Sequence, residues 1–505
     1  MSSLGFFPTL LAYAIYIIIP WFLLLCIFRL LLHPLRGYPG PFFARLTDAY
    51  GGYCAMRKCL HLTTYENFKK YGPVVRQAPN RLIFNTATAL HDIYLNPRLR
   101  AEYPSMVNVI DHTQHQRKRK FIGQILTGAR CIEIFLRLLL KSCPSGSPVD
   151  MTERRQRLGL DVIGLLAFGH PFGTQTSEEF LFLPPVLDAM GWRINTYMQF
   201  PPLSRLEPIL ALLGFRRAVQ FRSAVQTMIQ TRIAKDKNAH HDLYSVVADH
   251  IGKGQQGLYH GELWPEASLF IMAGGTTTAT TMSALFFYLS RNPACYATLA
   301  AEVRSSFGSA SDIHAGPQLN GCKYLRACID ETLRMSPPSP TSPWREQDAA
   351  DDSGEPFVVD GHVIPRGTQV SVNLFKPERW LDPDPDPPTE DGPDEGLVAR
   401  KRETYARANM RKAFVPFLIG DRACAGRSMA YMEASLTIAH TLWFFDFEAA
   451  PGKAGEVGGG KEGLTDGRGR PGEYQLDDIF AAGHRGPNLV FRKRGDFWKE
   501  LGADG

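Results

Sequence analysis

Residues 417–426 read FLIGDRACAG, and no other stretch of the 505-residue chain limits its fold as tightly. Phe417, Gly420, Arg422, Cys424 and Gly426 stand at fixed offsets around one thiol. A lone cysteine usually packs as a small buried hydrophobe. The neighbours argue for more. Gly420 and Gly426 permit left-handed backbone or close approach that a side chain would block. After Cys424 comes AGRSMAYMEASLTIAHTLWFF, rich in helix formers, with apolar residues at three- and four-residue steps. That places the thiol at a helix N-terminus, where the helix dipole and free amides favour thiolate. With Arg422 alongside, such a thiolate can hold a metal that carries a flat, anionic ligand.

The pattern F-x-x-G-x-R-x-C-x-G resembles the haem-binding loop of the cytochrome P450 family. Two further elements carry the resemblance: ETLR, with Glu331 and Arg334 at its E-x-x-R, and FKPERW, with Arg379 completing a Glu–Arg–Arg cluster. E-x-x-R alone is uninformative, since i,i+3 charge pairs are common on helix surfaces. The resemblance runs over nearly the whole chain. It implies a mainly α fold with small β-sheets, and a haem whose iron takes Cys424 as axial thiolate. Phe417, Gly420 and Gly426 would shape that loop, and Arg422 would reach a propionate by a guanidinium–carboxylate contact. His115 and Arg119, at i,i+4 within the basic HTQHQRKRKF, match the pair that reaches the other propionate; Arg117 and Lys118 read as a solvated face. Arg345 in SPWRE is a third candidate. Glu331, Arg334 and Arg379 are assigned the structural task of locking the haem loop.

Residues 262–293 predict a long helix, apolar on most faces and hence buried. Within it lies AGGTTT, Ala273 to Thr278. Two adjacent glycines cost about 2 kcal/mol of helix propensity, which something must offset. One account is close helix packing; the other is a local widening that frees hydroxyls from the backbone ladder. The stretch resembles the family's oxygen-seating A-G-x-[D/E]-T-[T/S], which makes Thr277 the threonine that helps deliver protons. Thr276 occupies the acidic position, and a hydroxyl there cannot hold a charge near neutral pH.

From Leu4 to Phe28 no residue is charged, enough for a bilayer, for which roughly 20 apolar residues suffice. The basic residues Arg29 and Arg36 follow the run rather than precede it. This argues for a signal anchor over a cleaved peptide, with the remainder cytosolic. Residues 29–41 read as a basic, proline-containing hinge, 42–505 as one catalytic domain. Stretches 382–396, acidic and proline-rich, and 452–473, glycine-rich, read as flexible insertions; no G-K-[ST] closes the latter into a phosphate loop. The strand pattern adds two short strands within 71–84 and a hairpin within 358–372. A net charge of +6 is mild and no nucleic-acid motif appears. Nine scattered cysteines show no zinc or disulfide spacing.

By resemblance, the chain is a monooxygenase of the endoplasmic reticulum membrane, similar to fungal microsomal members. It would take O2, electrons from an NADPH-dependent cytochrome P450 reductase, and a lipophilic small molecule such as a terpenoid or polyketide. Segments 190–200, 266–278, 336–343 and 479–484 would line the substrate pocket. One departure stands out: Asn373 runs straight into Leu374, where the family carries a connecting segment. Two alternatives therefore stay open: a membrane-anchored haem protein or degenerate copy without monooxygenase activity, and a haem-thiolate isomerase or peroxygenase.

Overall fold

The computed structural model describes residues 6–96, 98–101, 128–209, 214–235, 260–341, 343–348, 351, 353–372, 412–420, 423–465 and 467–501. His115, Arg119, Arg379, Arg422, the 382–396 stretch and the Asn373–Leu374 junction lie outside them. The fold is mainly helical with small sheets, and the chain divides into two compact units.

The first unit comprises Met1–Glu102, Thr196–Pro201 and Ser342–Lys376. Its five-stranded sheet runs Val74–Ala78, Arg81–Phe84, Gln369–Val372, Arg345–Gln347, Leu99–Ala101, with one parallel pair, Arg81–Phe84 beside Gln369–Val372. The two strands expected within 71–84 are its edge hairpin. The expected later hairpin is also present, pairing Phe357–Val359 with His362–Ile364. Its turn places Asp360 at φ 48° and Gly361 at φ 77°, the left-handed pair that a two-residue hairpin loop demands. Phe6–Ile27 form a 22-residue helix, with side chains described from Tyr16 onward. Among the described residues no helix is long and apolar enough to cross a membrane, so the membrane span expected at 4–28 is not borne out by them. The 29–41 segment is docked: the Arg76 amide donates to Pro39 O (2.7 Å) and the Arg76 guanidinium to Arg29 O (3.0 Å).

The second unit holds the rest, built on four helices: Met151–Phe168, the long helix His260–Arg291, the Glu–Arg helix Lys323–Met335 and the cysteine helix Arg427–Phe444. Apolar residues from all four meet in one core with Phe286, Leu325, Ile438 and Leu158 among its members. A three-stranded sheet, Val149–Asp150, Asn488–Lys493 and Phe445–Ala449, closes one side. The double glycine is explained by packing. A side-chain carbon on Gly274 would stand 2.5 Å from Ile163 Cδ1, and one on Gly275 3.0 Å from Leu160 Cδ2. Close contact with helix Met151–Phe168 offsets the lost propensity, and the long helix stays α-helical through the glycines rather than widening. The glycine-rich 452–473 stretch is held by backbone bonds, Gly460 to Arg470 O (3.0 Å) and Lys461 to Arg468 O (2.8 Å), which its composition did not reveal.

Candidate functional site

The cysteine helix starts at Arg427 with Gly426 as its N-cap, so Cys424 sits two residues ahead of the cap. A tight loop presents it. The Cys424 amide donates to Phe417 O at 2.8 Å and the Ala423 amide to Gly420 O at 3.1 Å. Gly420 is left-handed at φ 77°, as its position demanded. Leu418 shares that region at φ 57°, a strain of about 1–3 kcal/mol that persists only where neighbours enforce it. Gly426, at φ −80°, needs no left-handed freedom. A side-chain carbon there would lie 3.7 Å from Cys424 Sγ, in ordinary van der Waals contact with the sulfur.

Cys424 is exposed and forms no disulfide. Burial makes other thiols poor candidates for thiolate: it pushes Cys54 up to about 11 and Cys131 and Cys328 up to about 12. Beside the cysteine loop lies a small cleft that opens to solvent. Thr277 and Thr281 of the long helix, Leu333 and Pro338 at the end of the Glu–Arg helix, Phe417 of the loop and Tyr431 of the cysteine helix line it. Its lining carries hydroxyls and apolar groups and no charged side chain. Thr277 thus reaches the same space as the cysteine loop. Its hydroxyl donates to Ala273 O (2.6 Å), and that of Thr276 to Met272 O (2.6 Å).

The model of the cytochrome P450 family matches residues 112–458. The chain belongs to the cytochrome P450 family. It is 32% identical over 498 residues to the cytochrome P450 monooxygenase poxM of Penicillium oxalicum, covering 93% of this chain and 92% of that one. It is 30% identical to the monooxygenase AKT7 of Alternaria alternata, over 92% of this chain and 94% of that one. It is 31% identical to the monooxygenase apf7 of Gibberella fujikuroi, over 94% and 96% respectively. A cytochrome P450 is an oxidoreductase, here a monooxygenase, and its cofactor is haem with cysteine thiolate ligation. The donor set fits. Cys424 is an exposed thiol on a loop just ahead of a helix N-terminus and beside an uncharged cleft, which suits a group held by a single protein sulfur.

The other expected site residues fall in different places. Arg334 makes two bonds to the Glu331 carboxylate, 2.8 and 2.5 Å, within one turn of the Glu–Arg helix. Arg345 belongs to the first unit, where it is buried with its guanidinium 5.3 Å from the Tyr94 ring centre. Three segments expected at the substrate pocket are joined within the second unit. Buried Asp478 accepts from Asn195 Nδ2 (2.9 Å) and Thr341 Oγ1 (2.7 Å) through Oδ1, and the Ala482 amide donates to Pro338 O (2.8 Å). The sequence reading missed Asp478 because its partners lie 137 and 283 residues away.

Thr280 fixes the hairpin of Leu476–Asp477 and Gly483–His484 against the long helix, donating to Ala482 O (3.0 Å) with His484 Nδ1 3.2 Å away. Burial lowers the His484 imidazole to about 4. A histidine depressed in the fold stabilises it above its unfolded value, and that stability is lost as pH falls through the folded value. The difference in melting temperature between wild type and His484→Gln is therefore expected to shrink or reverse from about pH 6.5 down to 4, read by circular dichroism. A pH-independent difference would contradict the assignment.

Proposed function

We propose that the chain inserts one oxygen atom from O2 into a lipophilic small molecule, a secondary metabolite such as a terpenoid or polyketide. Electrons come from an NADPH-dependent cytochrome P450 reductase. The observation that carries this reading is the shared cavity, where Thr277 of the long helix and Phe417 of the cysteine loop face one uncharged space. Cys424 would hold the iron, with Phe417, Gly420 and Gly426 shaping its loop; Arg422, His115 and Arg119 remain the proposed propionate partners. Glu331, Arg334 and Arg379 would support that loop. Bound there, the haem supplies dioxygen activation, and thiolate donation favours O–O cleavage.

The protein's share is position and proton control. Ile329, Leu333, Pro338, Phe417 and Ala430 give the space an uncharged, partly apolar lining that suits an apolar substrate. Thr277 can turn its hydroxyl from Ala273 O to hand on a proton, since a hydroxyl both donates and accepts. Thr276 offers a second hydroxyl where a carboxylate would hold charge. For the membrane, residues 4–28 are proposed as a single-pass anchor in the endoplasmic reticulum with the catalytic part cytosolic. Support comes from the exposed apolar side chains of Tyr16, Ile17, Trp21 and Leu24, followed by Arg29 and Arg36.

With reductase and NADPH, one atom of labelled dioxygen is expected in the product. Thr277→Ala is expected to raise the ratio of peroxide to product several-fold while NADPH oxidation continues. Unchanged coupling would remove Thr277 from proton delivery, and absence of labelled product with any lipophilic substrate would remove the reading.

A further inference from the structure

We propose that Tyr431, Asp330 and Arg326 form a latch that positions the Cys424 loop, an inference that rests on Cys424 being the iron ligand. The Tyr431 hydroxyl donates to Asp330 Oδ1 at 2.6 Å. Arg326 Nε donates to the other Asp330 oxygen at 3.0 Å, and its guanidinium lies 3.6 Å from the Tyr431 ring centre. The Phe417 ring packs beside that ring at 5.1 Å. The Phe417 carbonyl in turn accepts from the Cys424 amide at 2.8 Å. Contact therefore runs unbroken from the Glu–Arg helix, through Tyr431 on the cysteine helix, to the backbone of the ligand residue.

Each link has a physical reason. A phenol donating to an ionised carboxylate makes a short, strong bond. Burial and the Asp330 charge push the Tyr431 phenol upward, which keeps it a donor. Arg326 holds the acceptor in place and covers the ring, a cation–π arrangement. The strained Leu418 follows Phe417 directly, and such backbone survives only when its surroundings enforce it. Tyr431 supplies that enforcement by fixing where Phe417 sits. The Glu331–Arg334 pair lies on the same helix and does not include Asp330 or Arg326. Tyr431 is a positioning residue, acting on sulfur through Phe417.

Tyr431→Phe keeps the ring and deletes the donor; Asp330→Asn keeps an acceptor and deletes the charge. Tyr296→Phe is the matched control, since the Tyr296 hydroxyl also donates to a carboxylate, Asp446 Oδ1 at 3.0 Å, away from the cysteine loop. The readout is the rate at which the reduced, carbon monoxide-bound protein passes from the thiolate spectrum to that of neutral-thiol ligation. Tyr431→Phe is expected to convert about tenfold faster than wild type, the equivalent of one charge-assisted hydrogen bond. Asp330→Asn should fall between, and Tyr296→Phe should match wild type at a similar melting temperature. Equal rates for Tyr431→Phe and wild type, or for the two tyrosine variants, would overturn the latch. A wild-type protein lacking the thiolate spectrum would overturn the ligand assignment first, and the latch with it.

Discussion

Replacing Arg155 with alanine is expected to destabilise the second unit by about 3–5 kcal/mol. Arg155, on helix Met151–Phe168, is fully buried. Its guanidinium lies 3.2 Å from the Phe135 ring centre and 5.4 Å from that of Phe286, so truncation removes packing as well as charge. Glu433 on the cysteine helix is also buried, and its Oε1 has no hydrogen-bond partner, as is true of Arg155 Nε and Nη2. Burial pushes the Glu433 carboxyl up to about 8, with the nearby Arg155 charge pulling the other way. Remove the arginine and the carboxyl keeps its desolvation without that relief. Arg155→Met combined with Glu433→Gln should recover most of the loss, because well-packed neutral groups replace a buried pair at little cost. The sign with pH follows. An acid raised in the fold stabilises it fully below its unfolded value, and loses that stability as pH rises through the folded one. Wild type should thus lose stability relative to Glu433→Gln between about pH 4.5 and 8. Urea midpoints across that range measure both effects; an Arg155→Ala loss under about 1 kcal/mol would contradict the role given to the pair.

Local pattern explains what was legible in the sequence. The cysteine loop with its following helix, the long apolar helix, the edge strands and the Asp360-Gly361 turn all depend on residues close in sequence, whose periodicity or backbone needs show directly. Gly420 met its left-handed role, while Gly426, at φ −80°, needs none. The AGGTTT stretch shows where reading stops. Its glycines signalled an unusual helix, yet only Ile163 and Leu160, more than a hundred residues earlier, decide between widening and packing. Arg155 with Glu433, Tyr431 with Asp330 and Asp478 with Asn195 are equally silent in sequence. Each is one polar residue on an otherwise ordinary element, made meaningful by a partner that folding alone brings near. The 452–473 stretch errs in the opposite sense: its glycines suggest looseness, but several admit close backbone approach, as at Gly460 against Arg468 O and Arg470 O.

Cys424→Ser is expected to abolish turnover outright. Serine keeps the size and the loop, but its hydroxyl stays protonated near neutral pH and would not supply the anionic sulfur donor proposed to hold the haem. Buried Cys131 and partly buried Cys328 cannot take over, because desolvation pushes both thiols up to about 12. Cys328→Ser is therefore expected to leave the ligation unchanged, which separates loss of a particular sulfur from loss of any sulfur.

The absorption spectrum of the reduced, carbon monoxide-bound protein, taken for wild type and Cys424→Ser side by side, is the most direct test. The account predicts a Soret band at the thiolate position in wild type and its absence in the variant. The same thiolate band in both proteins, or a histidine- or thiol-type band in wild type, would contradict it.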